Sequence, residues 1–102
     1  MTQIEISKSE LPGKNKFKYF DYPEYKIEFL IYVSSDSKIL IYSSFCPHFG
    51  GKLSVKEDSL FCHFHDYRFE INSGKCVNRM NGLVAKKFDF FEDIDSIVIP
   101  LD

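Results

Sequence analysis

The sequence lacks the features that would place it in several common protein classes. Its three cysteines are too few, and odd in number, for the disulfide scaffold of a secreted domain. No apolar run approaches the roughly 20 residues that span a bilayer, and residues 1–14 do not read as a secretory signal. The net charge of −2 argues against nucleic acid or an anionic membrane as a partner. We therefore expect a cytoplasmic protein with reduced thiols.

The chain also lacks the motifs of an independent enzyme. It has no nucleophile–base pair, P-loop or dinucleotide fingerprint, so we expect no catalysis and no small-molecule substrate of its own. Its 102 residues predict a single domain, 1–102. Because the last strand pattern reaches the end of the chain, we expect a complete small protein.

What the chain has in quantity is aromatic and β-branched residues with a period of two. The run Tyr25–Val33 is apolar on one face, and Leu30 and Tyr32 make its second half apolar on both, which predicts a central strand. Other strands are predicted around Ile4–Ile6, Leu40–Tyr42, Leu60–Phe61, Tyr67–Ile71, Phe88–Phe90 and Ile97–Leu101. Turn signals separate these runs at 11–14, 34–37, 56–59, 72–75 and 81–82. This spacing predicts an all-β sandwich, without a helix.

All three histidines and two of the cysteines lie between residues 46 and 65. Cys46 and His48 form a C-x-H motif, Cys62 and His65 form a C-x-x-H motif, and thirteen residues separate the two motifs. Each motif follows an apolar strand, so two loops at one tip of the sandwich could hold one metal site. A structural zinc site usually pairs Cys with Cys and His with His. The mixed pairing favours an asymmetric two-iron cluster, with both cysteines on one iron and both histidines on the other.

The residues around these motifs carry a family resemblance. The segments Cys46–Leu53, Leu60–Phe69 and Ser73–Cys76 resemble the Rieske 2Fe–2S proteins, especially the Rieske-type ferredoxins of ring-hydroxylating oxygenase systems and the small subunit of assimilatory nitrite reductase. The resemblance implies a Rieske-type antiparallel β-sandwich with cluster-binding loops at about 43–53 and 61–69. It also implies a 2Fe–2S cluster held by two cysteines and two histidines. Leu53, Phe61 and Phe69 are then expected to shield the cluster from water.

The function that this resemblance implies is one-electron transfer. The leading hypothesis is a soluble carrier that takes electrons from a flavin-dependent reductase and passes them to a terminal oxygenase. One alternative is a small Rieske subunit of a larger oxidoreductase such as assimilatory nitrite reductase. A further alternative is a zinc-bound or vestigial binding domain without a redox role.

Departures from the family pattern predict a low-potential subtype. The high-potential members carry a disulfide between the two loops, whereas this chain has Gly51 and Phe64 at the corresponding positions. Those members also place a Ser and a Tyr hydroxyl near the cluster, where this chain has the bulkier Tyr67 and Phe69, and Phe69 has no donor. With fewer hydrogen bonds to sulfur the reduced state is less stabilised, so we expect a potential of about −150 mV.

Four features of the sequence each allow two interpretations. Cys76 is either a buried small side chain on a strand or a further ligand or redox switch. His63 is either an exposed loop residue or a docking contact. Asp66 either faces solvent or forms a hydrogen bond near the cluster. The segment 77–83 lacks the proline of the family's third loop, so it either covers the cluster, as that loop does, or leaves it uncovered.

Overall fold

The computed structural model describes residues 2–47, 51–62, 66–78 and 82–101. The strands in these ranges are β1 Gln3–Ser7, β2 Lys16–Tyr22, β3 Ile27–Val33, β4 Ile39–Ser43, β5 Leu53–Lys56, β6 Ser59–Cys62, β7 Tyr67–Glu70, β8 Phe91–Glu92 and β9 Ser96–Pro100. Their only helical elements are two 3₁₀ turns, Lys8–Glu10 and Pro23–Tyr25. Over the same ranges, no helix has the length and apolarity to span a membrane. The prediction of an all-β antiparallel fold is confirmed.

Three antiparallel sheets have the strand orders β1-β9-β8, β2-β3-β4 and β5-β6-β7. The central strand of the second sheet, β3, is buried on both faces, as the sequence predicts. Phe29 and Ile31 point to one face, where they join a cluster with β1, β4 and β9. Leu30 and Tyr32 point to the other face and join a second cluster with β4 to β7. The sheet of β3 therefore lies between the other two sheets.

Two of the predicted strand boundaries are wrong. Tyr25 lies in a 3₁₀ turn that begins at Pro23, and Lys26 then takes a left-handed conformation with φ 55°, so β3 begins at Ile27. The strand predicted around Phe88–Phe90 lies instead at β8. The chain at 86–88 runs along the edge of β4, where the N–H of Ser43 donates to the carbonyl of Lys86 at 2.8 Å.

The turn after β7 is fastened by two side chains. The buried hydroxyl of Tyr42 donates to the carbonyl of Ile71 at 2.6 Å. Burial, with a smaller contribution from the negative charge of Glu70, raises the pKa of Tyr42 to about 12, so the hydroxyl keeps its proton. The Glu70 carboxylate accepts from the backbone N–H groups of Asn72 and Ser73, both at 2.8 Å. These hydrogen bonds hold the pKa of Glu70 below its ordinary value.

We predict that this turn requires glycine at position 74. Gly74 has φ +77°, and a Cβ there would lie 2.9 Å from the carbonyl oxygen of Ala85 and 3.0 Å from the Tyr42 ring. Gly82, with φ +88° and nothing within 4 Å of the place a Cβ would take, is the matched control. We expect Gly82→Ala to cost about 1 kcal/mol of unfolding free energy and Gly74→Ala roughly twice that or more, measured by denaturant titration. Equal losses would contradict the steric argument.

We predict that Glu70 makes the stability of the fold depend on pH. Because its folded pKa is lowered, its contribution is present above the unfolded pKa and is lost as pH falls through the folded pKa. Glu70→Gln should therefore lower the unfolding midpoint at pH 7, with the difference from the wild type disappearing in acid. Glu57→Gln, on the exposed β5–β6 turn, controls for the loss of one charge. A difference that does not vary with pH would contradict this role.

Candidate metal centre

The pairing of β5 brings the two cysteine motifs together. On one side of β5, Leu53 lies opposite Cys62 in the ladder with β6. On the other side, the N–H of Leu53 donates to the carbonyl of Ser44 at 2.7 Å, and the N–H of Cys46 donates to the carbonyl of Gly51. The start of β5 therefore lies between the two cysteines, which are 16 positions apart in the chain.

A two-residue turn, Glu57–Asp58, connects β5 to β6 at the opposite end of the hairpin. Both residues have positive φ, 51° and 60°, as a type I′ turn requires. The Asp58 carboxylate accepts a hydrogen bond from the hydroxyl of Tyr32 at 2.7 Å. That hydroxyl has its pKa raised to about 12, by burial first and by this bond second. The bond attaches the hairpin to the central sheet at the end away from the cysteines.

The two cysteines are suited to ligate a metal. Cys46 is 2% exposed and Cys62 is fully buried, and neither is in a disulfide. They belong to one apolar cluster with Leu53 and Phe69, both fully buried. Phe61, by contrast, is half-buried and lies against the Arg68 guanidinium, 5.4 Å from the ring centre. Leu53 and Phe69 thus provide the dry environment expected of them, and Phe61 faces outward.

The described residues supply the two thiols of the predicted ligand set. The other two predicted ligands, His48 and His65, lie outside the described residues. So do His63, the candidate docking contact, and Phe64, which stands where a disulfide cysteine would be needed. Cys46 and Cys62 stand at the bases of the two segments that contain these histidines. Two buried thiols so placed fit the thiolate side of a two-iron cluster.

A network of charged and polar side chains supports the base of the first loop. The fully buried Ser44 donates its hydroxyl proton to the Glu28 carboxylate at 2.8 Å. The Lys52 ammonium lies 3.3 Å from the same carboxylate oxygen and 4.0 Å from the centre of the Tyr19 ring. The Tyr19 hydroxyl donates to the carbonyl of Leu53 at 2.5 Å. Burial, and then the charge of Glu28, raises the pKa of Tyr19, so this donor stays protonated.

The base of the second loop is held by Asn78, which no sequence motif singles out. Asp66 has a left-handed backbone, φ 57°, and its half-exposed carboxylate lies 3.5 Å from Nε of Arg68. The Asn78 side-chain amide donates to the carbonyl of Asp66 at 2.7 Å and accepts from the N–H of Arg68 at 3.0 Å. Asp66 thus faces solvent, and its backbone rather than its carboxylate is tied to the neighbouring segment.

The third loop is attached at its start beside the second. Cys76 forms an isolated bridge with Phe69, and the N–H of Val77 donates to the carbonyl of Arg68 at 2.9 Å. Cys76 is half-buried, with Sγ 3.8 Å from Oδ1 of Asn78. Cys76 thus lies on a strand-like segment, as one of the two interpretations expects, but is half-buried rather than buried. Residues 79–81 of the same segment lie outside the described residues.

Comparison with known proteins identifies similar domains. The family model described as "Rieske [2Fe-2S] domain" matches residues 2–87. The chain is 43% identical over 53 residues to a cholesterol 7-desaturase of Ciona intestinalis, a match that covers 48% of this chain and 11% of that protein. The chain therefore spans a small part of the length of that curated relative.

Two solved structures share the fold over almost the whole chain. The quaternary ammonium Rieske monooxygenase in complex with L-carnitine superposes with a TM-score of 0.78 at 17% identity, covering 99% of this chain and 32% of that one. The ferredoxin of carbazole 1,9a-dioxygenase from Nocardioides aromaticivorans superposes with a TM-score of 0.70 at 18% identity, covering 97% of each chain. At these identities the likeness concerns the fold.

Proposed function

The chain belongs to the Rieske [2Fe-2S] domain family, and on that premise we propose that it is a one-electron carrier between a flavin-dependent reductase and a terminal oxygenase. Its cofactor is a Rieske-type 2Fe–2S cluster, and domains of this family are electron-transfer modules of oxidoreductase systems. The observation that carries the proposal is the pair of buried cysteines on either side of β5. The fold that the chain shares with the ferredoxin of carbazole 1,9a-dioxygenase supports the role of an electron carrier.

We further propose the ligand set. Cys46 and Cys62 hold one iron, and His48 and His65 hold the other. When bound, such a cluster would accept and release one electron at its irons. Two ferric ions, two sulfides, two thiolates and two neutral imidazoles sum to zero charge, so the reduced cluster would carry only −1. Burial of the cysteines among Leu53 and its neighbours keeps water from the thiolates.

The proposal also covers the setting of the carrier. Residues 1–102 act as one domain in the cytoplasm, where the thiols stay reduced. The partners are the electron donor and acceptor proteins, with no nucleic acid, membrane or small-molecule substrate. The net charge of −2 supports the exclusion of nucleic acid.

A second candidate function is the Rieske domain of a larger enzyme. The chain covers 32% of the quaternary ammonium monooxygenase, which is the proportion expected of one domain in such a protein, and its match of 53 residues covers 11% of the cholesterol desaturase. In that case the electron passes to a catalytic centre in the same assembly. A small subunit of a nitrite reductase would be a related arrangement, in which the acceptor is a reductase subunit.

The ligand assignment predicts which cysteines the cluster requires. Cys46→Ser and Cys62→Ser should each abolish the iron content and the rhombic EPR signal of the reduced protein, because each removes a thiolate from a buried site. Cys76→Ser is the matched control and should retain both. Retention of the cluster in Cys46→Ser or Cys62→Ser, or its loss in Cys76→Ser, would contradict the assignment. A colourless wild-type protein containing zinc would contradict the cluster itself.

The carrier role predicts a reversible one-electron couple and transfer between partner proteins. We expect a midpoint of about −150 mV by protein-film voltammetry, since Phe69 offers no hydroxyl to the cluster sulfurs. The midpoint should fall at alkaline pH, because ligand imidazoles lose protons more readily from the oxidised form. In anaerobic stopped-flow mixing, a flavin-dependent reductase should reduce the protein, and a terminal oxygenase should reoxidise it. A midpoint well above zero, or reduction without transfer to any oxygenase tested, would contradict this role.

A further inference from the structure

The end of the second loop, at Asp66, has a backbone conformation that is uncommon for a residue other than glycine. Cys62 and Tyr67 lie opposite each other in the β6–β7 ladder, so residues 63–66 connect two positions that are already fixed. The last of them, Asp66, has φ 57°, in the left-handed region that non-glycine residues adopt infrequently, although Asp and Asn do so more often than most. Contacts of the Asp66 backbone with other segments help to hold this conformation.

The Asp66–Arg68 ion pair is too weak to provide that support. Its two side chains are 54% and 41% exposed and lie 3.5 Å apart. Solvent screens such a pair, which contributes between zero and about 1 kcal/mol. It also joins the ends of two side chains and makes no contact with the peptide groups of Asp66 or Arg68.

The Asn78 amide, in contrast, contacts the backbone on both sides of Tyr67. Its donor is 2.7 Å from the carbonyl of Asp66, and its acceptor is 3.0 Å from the N–H of Arg68. Two bonds from one planar group fix both the distance and the orientation of the peptide groups that they join. The side-chain amide thus forms hydrogen bonds of the kind that the backbone of an adjacent strand would form with the edge of β7.

Asn78 is itself held in place by the start of the third loop. The N–H of Val77 donates to the carbonyl of Arg68 at 2.9 Å, and the N–H of Cys76 donates to the carbonyl of Leu83 at 2.9 Å. The side-chain amide therefore extends from a backbone that is already bonded to β7. The backbone that carries the Asn78 side chain is therefore held by hydrogen bonds of its neighbours.

We propose that Asn78 is a positioning residue for the cluster: by bracing the backbone of Asp66, it fixes the chain immediately after His65. This inference rests on the proposed role of His65 as a ligand. Asn78 does not bind the cluster and acts through the Asp66–Tyr67 peptide group, one residue beyond the proposed ligand. Groups that hydrogen-bond directly to a metal ligand typically change affinity by about 10–100-fold when they are removed, and this range is the upper bound for a contact one residue further along the chain.

The test compares the cluster in three variants of the loaded protein. Asn78→Ala removes both hydrogen bonds and adds no charge. Asn78→Gln keeps the amide on a longer stem. Asn72→Ala is the matched control, because it removes one side-chain amide bond, to Glu70 at 3.2 Å, in the turn at the other end of β7.

The readouts are the g values of the reduced EPR signal and the half-life of the cluster in the presence of a chelator. We expect Asn78→Ala to shift the g values and to lose the cluster faster than the wild type, by up to about ten- to a hundredfold. For Asn78→Gln we expect g values and a cluster half-life between those of the wild type and those of Asn78→Ala. Asn72→Ala should keep the wild-type g values even where its unfolding midpoint is lower.

Two results would overturn the proposal in distinguishable ways. A wild-type protein without a rhombic signal would remove the proposed function, and this inference with it. A wild-type signal that Asn78→Ala leaves unchanged, in g values and in half-life, would overturn the positioning role alone. A lower unfolding midpoint in Asn78→Ala with an unchanged signal would count against the proposal in the same way, because it would show a structural role only.

Discussion

The site depends on one antiparallel register, the pairing of β5 with its two neighbours. Leu53 is the centre of that arrangement, with Cys62 across the ladder on one side and the Ser44–Cys46 segment bonded on the other. A shift of one residue in either pairing would turn every side chain of the strand to the opposite face. The cysteine side chains would then no longer pack in the apolar cluster, even if the residues of the two loops were unchanged.

The same packing that stabilises the fold keeps the two cysteines out of water. They are members of the cluster that also contains Leu30 and Tyr32, the residues that make β3 apolar on its second face. The packing that determines the stability of the fold therefore also determines the environment of the two cysteines. Replacing a large side chain in this cluster would change the packing around the thiols as well as the free energy of unfolding.

The sequence predicts well what depends on local pattern. The alternation in β3 identifies a central strand that is apolar on both faces. The pattern fails at β2, Lys16–Tyr22, where every described side chain is at most half-buried and the lysines obscure the alternation. It also misses Asn78, because its two bonds join residues 10 and 12 positions apart across separate segments. No spacing rule reports such a contact, since it exists only after β7 and the third loop have come together.

The two-residue turn at Glu57–Asp58 has a consequence for how this site can vary in length. The hairpin can grow or shrink at that end, far from the cysteines, without moving Cys62 from its place opposite Leu53. Opposite pairs in an antiparallel ladder alternate between hydrogen-bonded and non-hydrogen-bonded, so keeping the same turn requires adding or removing two residues on each strand. The separation between the two cysteines would then change in steps of four, so that a motif search allowing only one fixed spacing would overlook domains that hold the same pair of thiols.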